Sequence, residues 1–577
     1  MVRLRMLPVD PLLWDFIGAP IVLAAVVWFA YWEVQQGSWV SDDWEGISTY
    51  SGKFKRTNNA SPAPTVPTVT DGTPKGASLW SDALTWVRFQ LCKVPNLDAK
   101  TAKERPYIAN ARKHHQLNML LGAAVVVLAY LFLGAVTGDY RLAFGACVLW
   151  AVHPVGAQCI GWISGIGYVL AALFMFAGLN LAWLVTSTGA VSNPWVLMGA
   201  LVVYGGLQFL AYRSQFTAMA AVVILAWLGM WPFAAVALLV AVVGSWRVIH
   251  EVVSVRSAVF HQQQMSQSTR FHLRKIIVAM KTLAYYVGLV FWPKRLGLYH
   301  TFGYHYPLPQ IEQEDRHFWA GGIIAMLMTG AILWATPPIP LALVWFGAYI
   351  FVVLNWITVH QFVSERYVWV PSLGLCLIVA AFAPTWLFWA AVGAAIMRTW
   401  AHLPTYFNEL TFYQSNVWNH PTSEVAIGNL GCTFMRFNLP GAAVDHWTIG
   451  TRVNPDYDVN WYNLYSLFRG QGQHKQAREY LVKALSSPMC HFPVPWKKEL
   501  DTLDMEMSWL EHRAKVPPEH QLAWEREQLE LMWKMPPEQV PHRDYWEAKK
   551  KRIDAEWAAK VAKETTAATV VEAPKTA

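Results

Sequence analysis

The sequence predicts an all-α membrane protein, in which a bundle of transmembrane helices is followed by a water-exposed domain of helical repeats. Three observations predict this fold class. Of the 577 residues, 54% are hydrophobic and only 15% are charged, whereas soluble domains carry about 25% charged residues. Long apolar runs fill residues 16–397, and beyond residue 400 the pattern changes to amphipathic helices with a 34-residue period. The two regions therefore face different solvents.

The apolar runs are candidate membrane spans, because a helix needs roughly 20 apolar residues to cross a bilayer. Tryptophans at the ends of many runs fit a bilayer interface. About eleven spans are predicted: Phe16–Trp32, Met119–Val136, Leu142–Ile160, Tyr168–Val185, Trp195–Tyr212, Thr217–Trp231, Pro232–Trp246, Phe318–Trp334, Leu341–Trp356, Val368–Phe382 and Thr385–Met397. The run Ile276–Trp292 carries Lys281, and it either crosses the membrane or lies along its surface.

The distribution of basic residues predicts the orientation. Arg3 and Arg5 precede the first span with no acidic residue before Asp10, which places the N-terminus in the cytoplasm by the positive-inside rule. An odd number of spans then places the repeats on the non-cytoplasmic side. The basic segment Arg247–Lys275 opposes this orientation, so either a span is misassigned or these charges face an anionic ligand outside.

Net charge and cysteine content narrow the partners. The formal net charge is +8, but the basic residues are scattered beside spans, which favours anionic membrane lipid over nucleic acid. The six cysteines contain no CxxC pair, which argues against a disulfide framework or a zinc site.

The domain organisation follows from these shifts in composition. Residues 1–400 form the predicted transmembrane domain, including a long non-cytoplasmic loop at 33–115 whose middle, Asn58–Lys75, is rich in Pro, Thr, Ser and Gly and is predicted to be disordered. Residues 401–495 form the repeat domain, and residues 496–577 form a charged helical extension with a disordered tail.

The 34-residue period has the tetratricopeptide (TPR) pattern, with small residues where two helices cross and large ones where units stack. Two units rarely hold together alone, so flanking helices at 408–419 and 496–513 are expected to cap them. The predicted packing positions are Leu430, Gly431, Phe434, Ala443, Trp447 and Pro455 in the first unit and Trp461, Leu464 and Ala477 in the second.

Asp42 and Asp43 lie ten residues after the first span. A carboxylate pair just outside a membrane is a candidate general base toward an incoming hydroxyl group, or a ligand of a divalent cation. The alternative is a solvated loop pair or a helix cap.

A second motif runs from Trp150 to Gly165. Pro154 and Gly156 break the helix at the membrane edge, where a protein cavity must satisfy the exposed backbone groups. His153 is a candidate contact for a phosphate or a substrate hydroxyl group, with a hydrogen-bonded helix cap as the alternative.

A third motif, His360–Tyr367, lies at the mouth of a span, where ionisable residues are candidates for function. Arg366 has the geometry to bind a phosphate in a bidentate manner. The alternative is an ordinary interfacial pair of Glu365 and Arg366.

These motifs occur together in one order: Asp42-Asp43, Arg105-Pro106, His115 with Asn118, His153-Pro154 before Trp162–Gly165, Glu365–Tyr367 before Pro371–Gly374, and then the repeats. This order resembles the transmembrane and tetratricopeptide-repeat O-mannosyltransferases and their bacterial relatives, over roughly residues 10–490. The resemblance implies a GT-C glycosyltransferase in a bacterial inner membrane.

By this resemblance, the enzyme would transfer a sugar from a polyprenyl-phosphate donor to a protein or glycan on the non-cytoplasmic side. One of Asp42 and Asp43 would deprotonate the acceptor, while His153 and Arg366 would contact the donor phosphate. Gln158, Glu365, Tyr367, His115 and Asn118 would support the site, and the repeats would present the acceptor. No cofactor is implied beyond the donor lipid.

The chain departs from the family at three places. It has Gly156-Ala157-Gln158 where the family usually has His-Thr-Glu, Ile166-Gly167-Tyr168 for Arg-Ala-Asp, and Ser214-Gln215-Phe216 for Ser-Lys-Glu. Glutamine forms hydrogen bonds but carries no charge. The alternative function is therefore an inactive GT-C descendant that binds partner proteins through its repeats. A transporter is a poorer fit, because no inverted repeat is visible in the sequence.

Overall fold

The computed structural model describes residues 13–40, 92, 111–214, 216–244, 273–298, 300, 315–354, 356, 363–488, 490, 492–536 and 543–571. Every regular element in these ranges is helical, which confirms the predicted all-α class. Asp42 and Asp43 lie outside the described residues. The chain divides into two compact units, Met1–Tyr457 and Asp458–Ala577, and this division falls between the two predicted repeats.

The first unit contains fifteen labelled helices within the described ranges. They are α1 (Ala19–Ala30), α2 (Arg112–Thr137), α3 (Tyr140–Val152), α4 (Ile166–Ser187), α5 (Pro194–Ser214), α6 (Ala221–Trp227), α7 (Trp231–Gly244), α8 (Leu273–Phe291), α9 (Asp315–Trp334), α10 (Ile339–Val352), α11 (Glu365–Phe382), α12 (Thr385–His402), α13 (Glu409–Asn419), α14 (Glu424–Arg436) and α15 (Pro440–Val453).

Each of the eleven predicted spans overlaps at least one helix in this unit, although the bounds differ. Five helical segments are long and apolar enough to cross a membrane, or six if the pair Tyr140–Val152 and Pro154–Ile160, bent by 59°, is one broken span. The other apolar helices are shorter, such as Ile339–Val352. The structure is thus consistent with a membrane protein, and eleven crossings remain a prediction.

The core of the bundle is built from stacked aromatic rings and close backbone contacts. Trp150 of α3 stacks on Trp369 of α11, with ring centroids 5.1 Å apart, and its indole N–H donates to the Trp369 carbonyl. α10 and α11 approach closely at Gly374, where a β-carbon would lie 2.3 Å from the Ala342 carbonyl oxygen. Dense packing of this kind holds the ends of these helices in fixed positions.

Several helix ends meet at one end of the bundle. The backbone N–H of Ser38, after α1, donates to the Phe407 carbonyl beyond α12, and Ala111, before α2, donates to the Gly37 carbonyl. The indole N–H of Trp162 donates to the Val40 carbonyl at 3.3 Å. We call this the polar end of the bundle.

Helix α8 contacts the polar end along its whole length. The Lys275 ammonium donates to the Trp356 carbonyl, the Tyr286 hydroxyl accepts from the Ser364 N–H, and the Val290 carbonyl lies 3.0 Å from His153 Nε2. These partners belong to the ends of three different elements, and α8 is not among the candidate spans. Helix α8 also packs along the span-like helix α9, so both alternatives for Ile276–Trp292, a membrane span or a surface helix, stay open.

The helices after α12 pack by small-to-large contacts. Gly431 of α14 faces Trp447 of α15, whose indole N–H donates to the Gly428 carbonyl at 3.0 Å. Leu430, Ala443 and Trp447 are all buried. An ion pair between Arg436 and the largely buried Glu409 joins α14 to α13.

The second unit contains α16 (Asp458–Gly470), α17 (His474–Ser486), α18 (Pro493–Ala514), α19 (Gln521–Trp533) and α20 (Arg543–Val571). Helices α16 and α17 begin 34 residues after α14 and α15, respectively. Tyr465, Ala477, Leu481 and Trp496 form one buried cluster, and Trp509, Leu529, Trp546 and Ile553 form a second.

Candidate functional site

The polar end of the bundle brings together Gln158 and the start of α11. Gln158 is 1% exposed, and its Oε1 atom accepts hydrogen bonds from the Ser364 hydroxyl at 2.7 Å and from the Arg366 backbone N–H at 2.8 Å. The first N–H groups of a helix have no partner within the helix. Gln158 therefore caps α11 from outside and fixes the position of Arg366.

The Arg366 guanidinium group is surrounded by aromatic rings. It lies 5.8 Å from the ring centroid of Trp162, 5.4 Å from that of Tyr168 and 5.5 Å from that of Tyr367. A cation over ring faces at these distances is stabilised by the ring quadrupoles. The rings restrict the directions in which the guanidinium group can move, and so preorganise it.

A narrow cleft between α4 and α11 is lined by Arg366 and has a volume of about 10 Å³, which is room for roughly one water molecule. Apart from Arg366 and three tyrosines, its walls are apolar. They comprise Tyr168, Ala171, Ala172, Met175, Ala218, Tyr349, Arg366, Tyr367, Val370 and Pro371. The cleft therefore combines a fixed cation with an apolar wall inside the bundle.

Trp162 links this cation to the segment that precedes the predicted base. Its backbone carbonyl accepts a hydrogen bond from the Asn118 amide at 2.9 Å, and its indole N–H binds the Val40 carbonyl. Val40 is the last described residue before Asp42 and Asp43. Asn118 and Arg366, two residues of the predicted site, are thus connected through Trp162.

His115 lies on the same side of the bundle, at the start of α2, and is buried. A β-carbon at Gly37 would come 3.0 Å from His115 Nε2 and 2.7 Å from the Tyr406 carbonyl oxygen. Only glycine therefore lets the chain after α1 pass between these two groups. His115 contributes to anchoring this segment beneath Val40.

His153 has different contacts. Its Nδ1 atom accepts from the Val155 backbone N–H at 3.4 Å, and its Nε2 atom lies 3.0 Å from the Val290 carbonyl oxygen. An acceptor at Nδ1 and a donor at Nε2 describe a neutral imidazole ring. The helix-cap alternative explains the contacts of both ring nitrogens. These contacts place His153 against α8, whereas Gln158 and Trp162 contact Arg366.

The Glu365 carboxylate has other partners than the Arg366 side chain, with which the sequence offered an interfacial pair as the alternative. It is 0% exposed, and its Oε1 atom accepts from the Gly297 N–H and lies 3.3 Å from His300 Nε2. Its Oε2 atom lies 3.6 Å from His402 Nε2. A buried carboxylate needs such partners to offset its desolvation, so Glu365 joins the segment after α8 to the start of α11 and the end of α12.

A second layer surrounds this cluster. The Tyr285 hydroxyl lies 2.8 Å from His300 Nδ1, and the His420 ring centroid lies 4.5 Å from that of His300. Burial, followed by the neighbouring His300, lowers the pKa of His420 to about 3. Asn416 accepts from the Leu298 N–H at 2.6 Å, so α13 is held directly against the polar end.

Sequence reasoning missed His300, His402 and His420. The contact between Glu365 and His300 joins positions 65 residues apart, which leaves no short motif. Comparison of the chain with protein-family models, curated proteins and solved structures finds no match. The chemical assignment therefore depends on the geometry itself, in which a cation ringed by aromatic side chains lies beside a narrow and mostly apolar cleft.

Proposed function

We propose that this protein is a membrane glycosyltransferase of the GT-C type. It transfers a sugar from a polyprenyl-phosphate donor to a protein or glycan on the non-cytoplasmic side of a bacterial inner membrane. The observation that carries the proposal is Arg366, a preorganised cation at the mouth of an apolar cleft between two span-like helices.

The donor has the two chemical parts that the lining residues of this cleft would bind, and the cleft must widen to admit its chain. A polyprenyl phosphate joins an anionic head to a long hydrocarbon chain. A guanidinium group offers planar, bidentate hydrogen bonds to phosphate oxygens, and the walls formed by Ala171, Ala172 and Val370 are of the kind that an isoprenoid chain contacts favourably.

The substitution at Gln158 is compatible with activity. The side chain serves as an acceptor for Ser364 and Arg366, and an amide oxygen performs that task as well as a carboxylate would. A carboxylate beside Arg366 would also compete with the donor phosphate for the cation. The neutral residue keeps the acceptor and avoids that competition.

In the proposed reaction, Asp42 or Asp43 accepts the proton of the acceptor hydroxyl group. The hydroxyl oxygen forms a bond to the anomeric carbon as the bond from that carbon to the phosphate oxygen breaks. Polyprenyl phosphate leaves with the electron pair, and Arg366 stabilises the charge that develops on it. A divalent cation at the Asp pair remains the alternative role for these carboxylates.

The helix pairs α14/α15 and α16/α17 would present the acceptor as tetratricopeptide repeats. Their exact 34-residue offset supports this assignment, as does the contact of Gly431 with Trp447. In the proposed orientation, the N-terminus is cytoplasmic and the repeats lie outside. Helix α13 directly follows the polar end, so the first pair and the proposed site share one side.

The experiment that tests the proposal compares binding of polyprenyl phosphate with binding of the matching polyprenol to the purified protein in detergent. Arg366→Ala should weaken polyprenyl-phosphate binding about 10-fold or more, because a hydrogen bond to a charged group contributes about 1.5–3 kcal/mol. Polyprenol binding should not change. Arg141→Ala removes an exposed arginine at the opposite end of α3 and should bind like the wild type. Equal binding by all three proteins would refute the role of Arg366.

One observation favours the alternative, an inactive scaffold. Tyr168 stands where the family usually has an acid, and its ring packs against Arg366. A protein that had lost catalysis would tolerate this replacement while keeping its repeats for partner binding. The scaffold predicts normal behaviour for Asp42→Asn and Asp43→Asn, whereas the enzyme predicts a loss of turnover of about 10² or more.

A further inference from the structure

A groove on the outer surface of the bundle lies between α1 and α2. It has a volume of about 460 Å³ and shares no lining residue with the cleft at Arg366. Its floor includes Ala24, Ala25 and Ala123, and its rims include Phe29 and Leu120. Both rim side chains are about 60% exposed. Apolar surface of this kind on a span-like helix is covered by lipid in a membrane.

Two polar side chains, Gln35 and Gln116, lie at the end of the groove where α1 ends and α2 begins, and we call them the polar head of the groove. The Gln116 amide N–H donates to Gln35 Oε1 at 2.8 Å, and the Gln35 amide N–H donates to the Trp32 carbonyl. Gln116 lies seven residues before Ala123, which is two helical turns along the same face. Gln116 therefore lies on the groove face of α2, and its side-chain amide includes an oxygen that is a hydrogen-bond acceptor.

Two cations stand just beyond this polar head. Lys113 precedes Leu120 by seven residues, so it lies on the same face of α2, and Arg112 lies one turn before Gln116. Both side chains are exposed, and within the described ranges neither takes part in an ion pair. The groove therefore has positive charge at one end and apolar walls along its length, which matches the charged headgroup and the apolar chains of a phospholipid.

We propose that the groove between α1 and α2 binds one anionic phospholipid. One acyl chain lies in the groove, and the phosphate lies near Arg112 and Lys113. A glycerol headgroup would offer hydroxyl groups to the Gln116 carbonyl, so phosphatidylglycerol is the fitting lipid. The site fixes the position of the first helix at the membrane surface, and it does not depend on the proposed transfer reaction.

The test uses the full chain in nanodiscs of equal parts phosphatidylglycerol and phosphatidylcholine, followed by gentle release and native mass spectrometry. The wild type should retain one phosphatidylglycerol in preference to phosphatidylcholine. Ala25→Phe fills the groove and should lower this retention at least fivefold. The control Ala390→Phe, on an exposed face of α12, should retain lipid like the wild type.

The double variant Arg112→Gln and Lys113→Gln changes only exposed side chains, so it should keep the fold. It should lower the preference for phosphatidylglycerol at least fivefold, because each basic residue near the surface adds to the attraction for anionic lipid. Unchanged retention in this variant, or equal retention of both phospholipids by the wild type, would overturn the proposal. Stoichiometric displacement of the lipid by polyprenyl phosphate would also overturn it.

Discussion

The Oε1 atom of Gln158 lies 2.8 Å from the backbone nitrogen of Arg366 and accepts its hydrogen bond. This bond joins the break after α3 to the first turn of α11, across 208 residues of sequence. The same oxygen atom accepts from Ser364. One neutral side chain therefore positions the cation on which the proposed donor site depends.

Replacement of Gln158 by leucine should destabilise the protein. Leucine leaves the Ser364 hydroxyl and the Arg366 N–H buried without this acceptor, at a cost of about 1–3 kcal/mol each. Thermal unfolding in detergent should show a clearly lower Tm, whereas Gln158→Glu, which keeps the acceptor, should lie closer to the wild type. A leucine variant as stable as the wild type would show that this contact does not hold the site together.

Glu365→Gln should also lower the stability, because it removes the charged partner of His300 and His402 in a fully buried cluster. A hydrogen bond to a charged group contributes about 1.5–3 kcal/mol, and the neutral amide weakens the contacts of this carboxylate. The exposed residue Glu33 provides a control of the same chemistry, and Glu33→Gln should leave the Tm within about 1 °C of the wild type, as expected for a surface substitution. Equal Tm values for the two variants would contradict the buried cluster.

The stability should depend on pH through His420. Its pKa in the folded protein is about 3, whereas an unfolded histidine has a pKa of about 6.5. The depressed value means that only the unfolded state binds a proton between these pH values, so stability falls as the pH drops below about 6.5.

The matching measurement compares the Tm of the wild type with that of His420→Gln at pH 7 and pH 5. Between these values the wild type should lose about 1–2 kcal/mol relative to the variant. This difference isolates His420 from the neighbouring Glu365, His300 and Arg295, which are present in both proteins. Parallel pH profiles for the two proteins would show that folding does not shift the pKa of His420.

Two glycines of the first helix pair should respond oppositely to alanine. A β-carbon at Gly431 would lie 2.4 Å from the Trp447 indole nitrogen, whereas one at Gly441 meets nothing within 4 Å. Gly431→Ala should therefore cost about 1–3 kcal/mol by overpacking, although alanine favours helix. Gly441→Ala should be neutral or stabilising by up to about 1 kcal/mol. Chemical unfolding of both variants checks this contrast, and a stabilising effect at Gly431 would contradict the packing of α14 on α15.

The helices were largely predictable because their signals are local. Every predicted span overlaps at least one helix, since each prediction rests on a continuous apolar run in the sequence. The sequence did not decide whether α8 crosses the membrane or lies along its surface, because its lysine and tyrosine residues are compatible with both. Its contacts with Trp356, Ser364 and His153 depend on the ends of other helices, which no local pattern reveals.

The site was predictable only in part. The sequence placed Gln158, Arg366 and Tyr367 in one site, and the structure brings Gln158 and Arg366 into direct contact. The partners of Glu365 could not be predicted, because His300 and His402 lie in segments whose approach is set by the packing of α8, α11 and α12. The sequence left two interpretations of His153, a contact for the substrate and a helix cap. Its contacts with backbone groups fit the helix cap.

Native mass spectrometry of the protein, gently extracted from its own membrane, decides between the glycosyltransferase and the scaffold. We predict one bound polyprenyl-phosphate sugar, whose mass identifies the donor, and no stoichiometric protein partner. A stable complex with other proteins and no such lipid would contradict the glycosyltransferase assignment and would establish the scaffold in its place.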